Sequence, residues 1–96
     1  MTGRPRIADF ESRIGSTFSV SLSGSEIGTW TLQALKVLAA PDEEELRDLD
    51  FFSLTFLHHA NPSPEQGIYL VSDQSGFRQT LFATPFRQDQ MVVTVA

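Results

Sequence analysis

Apolar residues recur along this chain mainly at every second position, and that spacing predicts a β protein. In residues 17–23, Phe18, Val20 and Leu22 alternate with Ser19, Ser21 and Ser23, as in a strand with one buried face. Residues 51–58 repeat the device, with Phe52, Leu54 and Phe56 on one side and Phe51, Ser53, Thr55 and Leu57 on the other. Residues 68–72, 77–84 and 91–95 read as three more strands. Gly24-Ser25, residues 73–76, and Pro85 with the polar residues 87–90 supply the turns. The stretch 27–39 changes phase: Trp30, Leu32 and Ala34 share one side, Leu35, Val37 and Ala39 the other. This predicts a β-bulge near Ala34 or a corner between two strands, with a helix over 32–39 as the alternative. Only the start of the chain has helical spacing. Ile7, Phe10 and Ile14 predict a short amphipathic helix over 7–14, stopped by Gly15.

Six short strands separated by turn residues predict an all-β or mainly β fold. It would be a small six-stranded barrel or sandwich, one domain over 1–96, with the helix plugging one end. The expected core is Phe18, Val20, Leu32, Phe52, Leu54, Phe56, Leu70, Leu81 and Val93. Eight Phe against one Tyr and one Trp make the aromatics chiefly packing groups.

Charge and composition narrow the function. The net charge of −5 argues against nucleic acid, whose phosphates call for basic clusters. Asp42, Glu43, Glu44, Glu45, Asp48 and Asp50, opposed only by Arg47, carry the whole of that net charge. They form a solvated loop or a docking surface for a basic partner. The chain has no cysteine, which excludes disulfides, thiolate zinc sites and cysteine nucleophiles. No apolar run approaches the roughly 20 residues of a membrane-spanning helix, so no membrane insertion is expected. The first residues lack the apolar stretch of a signal peptide, and the compartment stays open.

Candidate chemistry is sparse. His58 and His59 invite a metal, but neighbours on a strand point to opposite faces, and zinc needs three or four ligands. The acidic run lacks the glycine of a calcium loop. No phosphate-binding glycine loop or nucleophile elbow is present. The expectation is therefore a non-enzymatic module with no catalytic residue, no metal and no cofactor. It would work through a protein partner or self-association. Its candidate contacts are Asp42, Glu43, Glu44 and Glu45, together with Met91, Val93 and Val95 on the last strand, where strand addition is one route. A first rival is a ligand-binding barrel, for a sugar in particular, with Trp30 and Tyr69 as stacking platforms; burial of Trp30 would dismiss it. A second is a metal-dependent hydrolase using His58 or His59.

A longer pattern runs through these elements. Phe10 is followed by Gly15-x-x-Phe18-x-Val20, Leu32 and Phe52-x-Leu54-x-Phe56. Beyond a proline loop come Gln66-Gly67-x-Tyr69, Gly76 and Leu81-Phe82-x-x-Pro85. The order is similar to that of a family of small bacterial domains of unknown function, encoded beside phage-tail-collar or tail-fibre-like proteins. The resemblance implies a component or accessory of a tail-like or filamentous surface assembly. It carries over no catalytic residue. The acidic run at 42–50 and the His58-His59 pair depart from the pattern.

Overall fold

A computed structural model describes residues 5–38, 51–59 and 64–95, and in it the alternating segments close on one another. Helix α1 (Ile7–Glu11) precedes strands β1 (Thr17–Leu22), β2 (Ser25–Val37), β3 (Phe52–Leu57), β4 (Gly67–Ser72), β5 (Arg78–Arg87) and β6 (Gln90–Val95). They form a closed barrel in the order β1-β2-β3-β6-β5-β4, every neighbouring pair antiparallel. Of the two architectures expected, the barrel is the one formed. Two meanders, β1-β2-β3 and β4-β5-β6, meet along two seams, with Val20 opposite Val71 on one and Leu54 opposite Val93 on the other.

Period-two alternation fills the barrel. Phe18 and Val20 of β1, Trp30 and Leu32 of β2, and Phe52, Leu54 and Phe56 of β3 point inward. Tyr69 and Val71, Leu81 and Ala83, and Met91, Val93 and Val95 complete the lining from the second meander. Seven aromatic rings form one unbroken series inside it. Phe10 touches Phe18, Phe52 and Phe77 at one end. Phe18 leads to Phe56, Phe56 to Trp30, and Trp30 to Tyr69 at the other.

Several boundaries depart from the sequence pattern, each for a local reason. Leu70, expected in the core, is only half-buried, and Tyr69 and Val71 take the inward positions. Residues 68–71 are apolar throughout, so alternation alone does not set their phase. Pairing Tyr69 with Leu81 and Val71 with Val20 does, because a one-residue slip would turn every side chain to the other face. β5 runs on through Pro85 rather than ending there. Proline has no N–H for the ladder, and the register shifts between Pro85 and Arg87 to absorb it. The irregularity expected near Ala34 lies between Leu32 and Ala34, and β2 is one continuous strand through Val37. The first hairpin turns on Ser23-Gly24 rather than Gly24-Ser25; both have positive φ, +53° and +84°, the requirement of a two-residue turn that follows the sheet's twist.

The helix expected over 7–14 stops at Glu11, leaving Ile14 half-exposed. Arg13 explains the stop. Its Nη1 donates to the Asp9 carbonyl at 2.6 Å and its Nε to Asp73 Oδ2 at 2.9 Å, while the guanidinium sits 4.3 Å from the Phe77 ring centre. Gly15, at φ +91°, then turns the chain into β1. Arg13 thus ties the plug to the β4–β5 turn. In that turn Asp73 Oδ1 accepts from the Ser75 hydroxyl and from the backbone N–H groups of Ser75 and Phe77. The Ser75 hydroxyl first, and then Arg13 and the two amides, hold the Asp73 carboxyl down at about 2. This folded-state value lies below the ordinary one, so the stabilisation is present at neutral pH and lost as pH falls towards 2. An NMR titration should find Asp73 protonating near 2 and shifting upward in Arg13→Ala; an unshifted Asp73 in the parent chain would disprove the clamp.

Candidate functional site

The two rings that the sequence singled out as ligand platforms are packed into the core. Trp30 is 2% exposed and Tyr69 1%; their ring centres lie 5.0 Å apart within the core. Burial pushes the Tyr69 hydroxyl's pKa up, with Glu65 adding to the effect, and the hydroxyl is satisfied locally by donating to the Glu65 carbonyl. A sugar-stacking platform needs a ring face open to solvent, and neither ring has one. Their expected role as ligand platforms is thus corrected to a core role.

Beyond Trp30, at this end of the barrel, lies a small open pocket of about 230 Å³. Ile27, Thr29, Trp30, His58, His59 and Pro64 line it. The two histidines split as strand geometry requires, His58 buried and His59 exposed. Among the described residues no three His, Asp, Glu or Cys side chains converge on a metal-sized site, so the hydrolase reading finds no ligand set there. The His58 backbone N–H donates to the Asp89 carbonyl at 2.9 Å, joining the end of β3 to the β5–β6 hairpin. Burial lowers the His58 pKa from its ordinary 6.5, and His59 adds to this; Asp89 opposes it. The folded chain therefore resists a proton that the unfolded chain accepts. Stability should fall as pH drops below about 6.5 and level off once His58 is protonated in the fold. Urea unfolding across that range should show the fall in the parent chain and a flatter profile in His58→Gln; equal slopes would refute it.

The last strand is not a free edge. β6 is hydrogen-bonded to β3 on one side and β5 on the other, and Met91, Val93 and Val95 point into the core. Their expected role as partner contacts is corrected: the three side chains lie in the core, out of a partner's reach. Asp42, Glu43, Glu44 and Glu45 lie outside the described residues.

What the barrel does present is the outer wall of its second meander. Ile68 and Phe82 face each other across β4 and β5 and are 62% and 52% exposed. Phe86, at the β5 bulge, is 62% exposed, with the Arg87 guanidinium 5.3 Å from its ring centre. Between Phe82 and Phe86 a groove of about 370 Å³ opens over Thr84, Val92 and Thr94. The only charged residues of β3, β4, β5 and β6 are Arg78 and Arg87, which begin and end β5. Exposed clusters of large apolar side chains mark contact surfaces. The sequence reading missed this surface, although it carries a sequence signal: the unbroken apolar run 68–71 cannot bury all its side chains on one face.

The family model Domain of unknown function (DUF6916) matches residues 5–95. The chain belongs to that family. No curated protein and no solved structure is significantly similar to it. The DUF6916 match spans every element from α1 to β6, so the whole barrel is a single family unit. Of the residues that carried the sequence resemblance, Phe10, Phe18, Val20, Leu32, Phe52, Leu54, Phe56, Tyr69 and Leu81 are core residues, whereas Phe82 faces out. Among the described residues, no helix is long and apolar enough to cross a membrane.

Proposed function

We propose that this DUF6916 domain is a non-enzymatic interaction module that docks through the outer wall of β4, β5 and β6. In this reading it serves as a component or accessory of a tail-like or filamentous surface assembly. The observation that carries the proposal is the exposed Ile68–Phe82–Phe86 cluster, on strands whose charged residues are confined to the two ends of β5. Burying such side chains contributes roughly 25 cal/mol per Å² removed from water, a gain forgone when the chain is alone. The interior supports the same reading, because a barrel filled by seven rings has no room for a substrate among them. The tail-like setting rests on the resemblance in sequence order alone.

Isolation of the native protein from its producing cells tests the proposal. The chain should run in a particle well above its own 10.7 kDa, and Phe82→Glu should release it. A lone monomer from cells in which the neighbouring genes are expressed would count against the module reading.

A further inference from the structure

A different surface lies on the first meander, where the second half of β2 is paired on one side only. We infer that this edge, from Gln33 to Val37, takes an extended basic segment of another protein as an added strand. The inference stands apart from the docking wall of β4, β5 and β6.

The pairing of β2 creates the edge. The strand meets β1 over its first half and β3 over its second. On the β1 side, bonding ends at Leu32, whose N–H donates to the Ser16 carbonyl and whose carbonyl accepts from the Gly15 N–H. Beyond that point β2 continues to Val37 with β3 alone. The Leu38 N–H donates to the Phe51 carbonyl at 2.8 Å, and this fixes the alternation. Leu38, Lys36 and Ala34 turn their backbone groups to β3, so Leu35 and Val37 turn theirs to the open side. Among the described residues nothing bonds to the N–H or C=O groups of Leu35 and Val37 on that side.

These groups determine what can cover them. Donors and acceptors repeating at every second residue are matched by another extended backbone, which is the basis of strand addition. The side chains offer such a strand a footing. Val37 is exposed and Leu35 partly buried on the face of β2 that leads into the core, an apolar ledge for alternate residues of the incoming segment.

Charge selects whose strand it is. The bond between Leu38 and Phe51 joins the two ends of the segment that holds six acids against Arg47. The whole net charge of −5 is therefore tethered to the end of this edge. Lysine or arginine on the incoming strand gains from that field, both in rate and in choice of partner. A second copy would bring another −5 to the same corner, so the occupant is a foreign chain.

The test uses the purified full chain and a short synthetic peptide alternating valine and lysine. Fluorescence anisotropy should show binding that weakens as salt is added. A valine–glutamate peptide should not bind, and N-methylation of the lysine peptide's backbone should weaken binding about 10-fold or more, as lost hydrogen bonds require. Val37→Pro removes a donor that the barrel does not use, and an edge tolerates proline there. It should weaken binding to a similar degree with an unchanged circular dichroism spectrum, whereas Val37→Thr, which keeps the N–H, should bind. By NMR the Leu35 and Val37 amides should exchange fast in the chain alone and slow when the peptide is present. Should Val37→Pro unfold, the N-methylated peptide decides the matter. No binding, equal binding of the glutamate or N-methylated peptide, or slow exchange at both amides without peptide would overturn the inference. Phe82→Glu should leave peptide binding unchanged, so loss of this edge and loss of the outer wall are read separately.

Discussion

Replacing Phe10 with alanine is expected to lower the unfolding free energy by about 3–5 kcal/mol, the cost of removing a fully buried aromatic ring. Phe10 is the only buried residue of α1. It meets Phe18 at 6.5 Å, Phe52 at 6.2 Å and, edge-on, Phe77 at 5.2 Å between ring centres. A helix of one turn has almost no stability of its own, so its attachment rests on this ring, on the partly buried Ile7 beside it and on the Arg13–Asp73 clamp. Losing the ring would empty the space beneath the plug and release the helix. For a domain of this size the loss is a large part of a total of about 5–15 kcal/mol. Chemical denaturation read by the fluorescence of Trp30 and by circular dichroism would measure it. Ile14→Ala, at a half-exposed site, should stay within about 0.5 kcal/mol. A Phe10→Ala shift no larger than that of Ile14→Ala would show that the plug is dispensable.

Phe56→Ala should be about as costly, at about 3–5 kcal/mol, for a different reason. Phe56 joins two aromatic groups: its ring lies 5.9 Å from Phe18, edge-on, and 5.6 Å from Trp30. Without it the rings at the plug end and those around Trp30 and Tyr69 are separated by a cavity in mid-barrel. Phe56→Leu keeps much of the volume and should recover most of the loss. In the alanine variant Trp30 should also emit at longer wavelength in the folded state, as water or mobility reaches its ring. An unchanged spectrum together with a small stability change would mean that the barrel collapses around the gap.

These two positions show how much was legible in the sequence. Phe18, Val20, Leu32, Phe52, Leu54, Phe56, Leu81 and Val93 all line the barrel as their alternation indicates. Apolar residues separated by serine and threonine leave only one phase in which a core can form. Phe10 in a plug follows from helical spacing beside a run of strands. Where polar spacers are missing the pattern falls silent, and that is where Leu70 and Tyr69 exchange roles. The choice between barrel and sandwich was open, because whether two meanders meet along one seam or two depends on strand tilt and stagger, quantities without a local signature. Trp30 and Tyr69 looked available only while the barrel mouth was read as open, and Met91, Val93 and Val95 only while β6 was read as a free edge. The candidate wall went unread for the converse reason. Phe82 and Phe86 resemble core residues in type, and only the register of β5 against β4 and β6 turns Phe82 outward.

The two seams also set the order in which this chain can become a barrel. Each meander can form from hairpins close in sequence, yet each alone is a three-stranded ribbon with two bare edges. Both edges are satisfied only when β1 meets β4 and β3 meets β6, pairings across long stretches of chain. Such non-local closure places folding on the millisecond-to-second scale. During that interval both ribbons expose sticky backbone, so crowding at the ribosome and timely chaperone cover bear more on the yield of this domain than on its final stability.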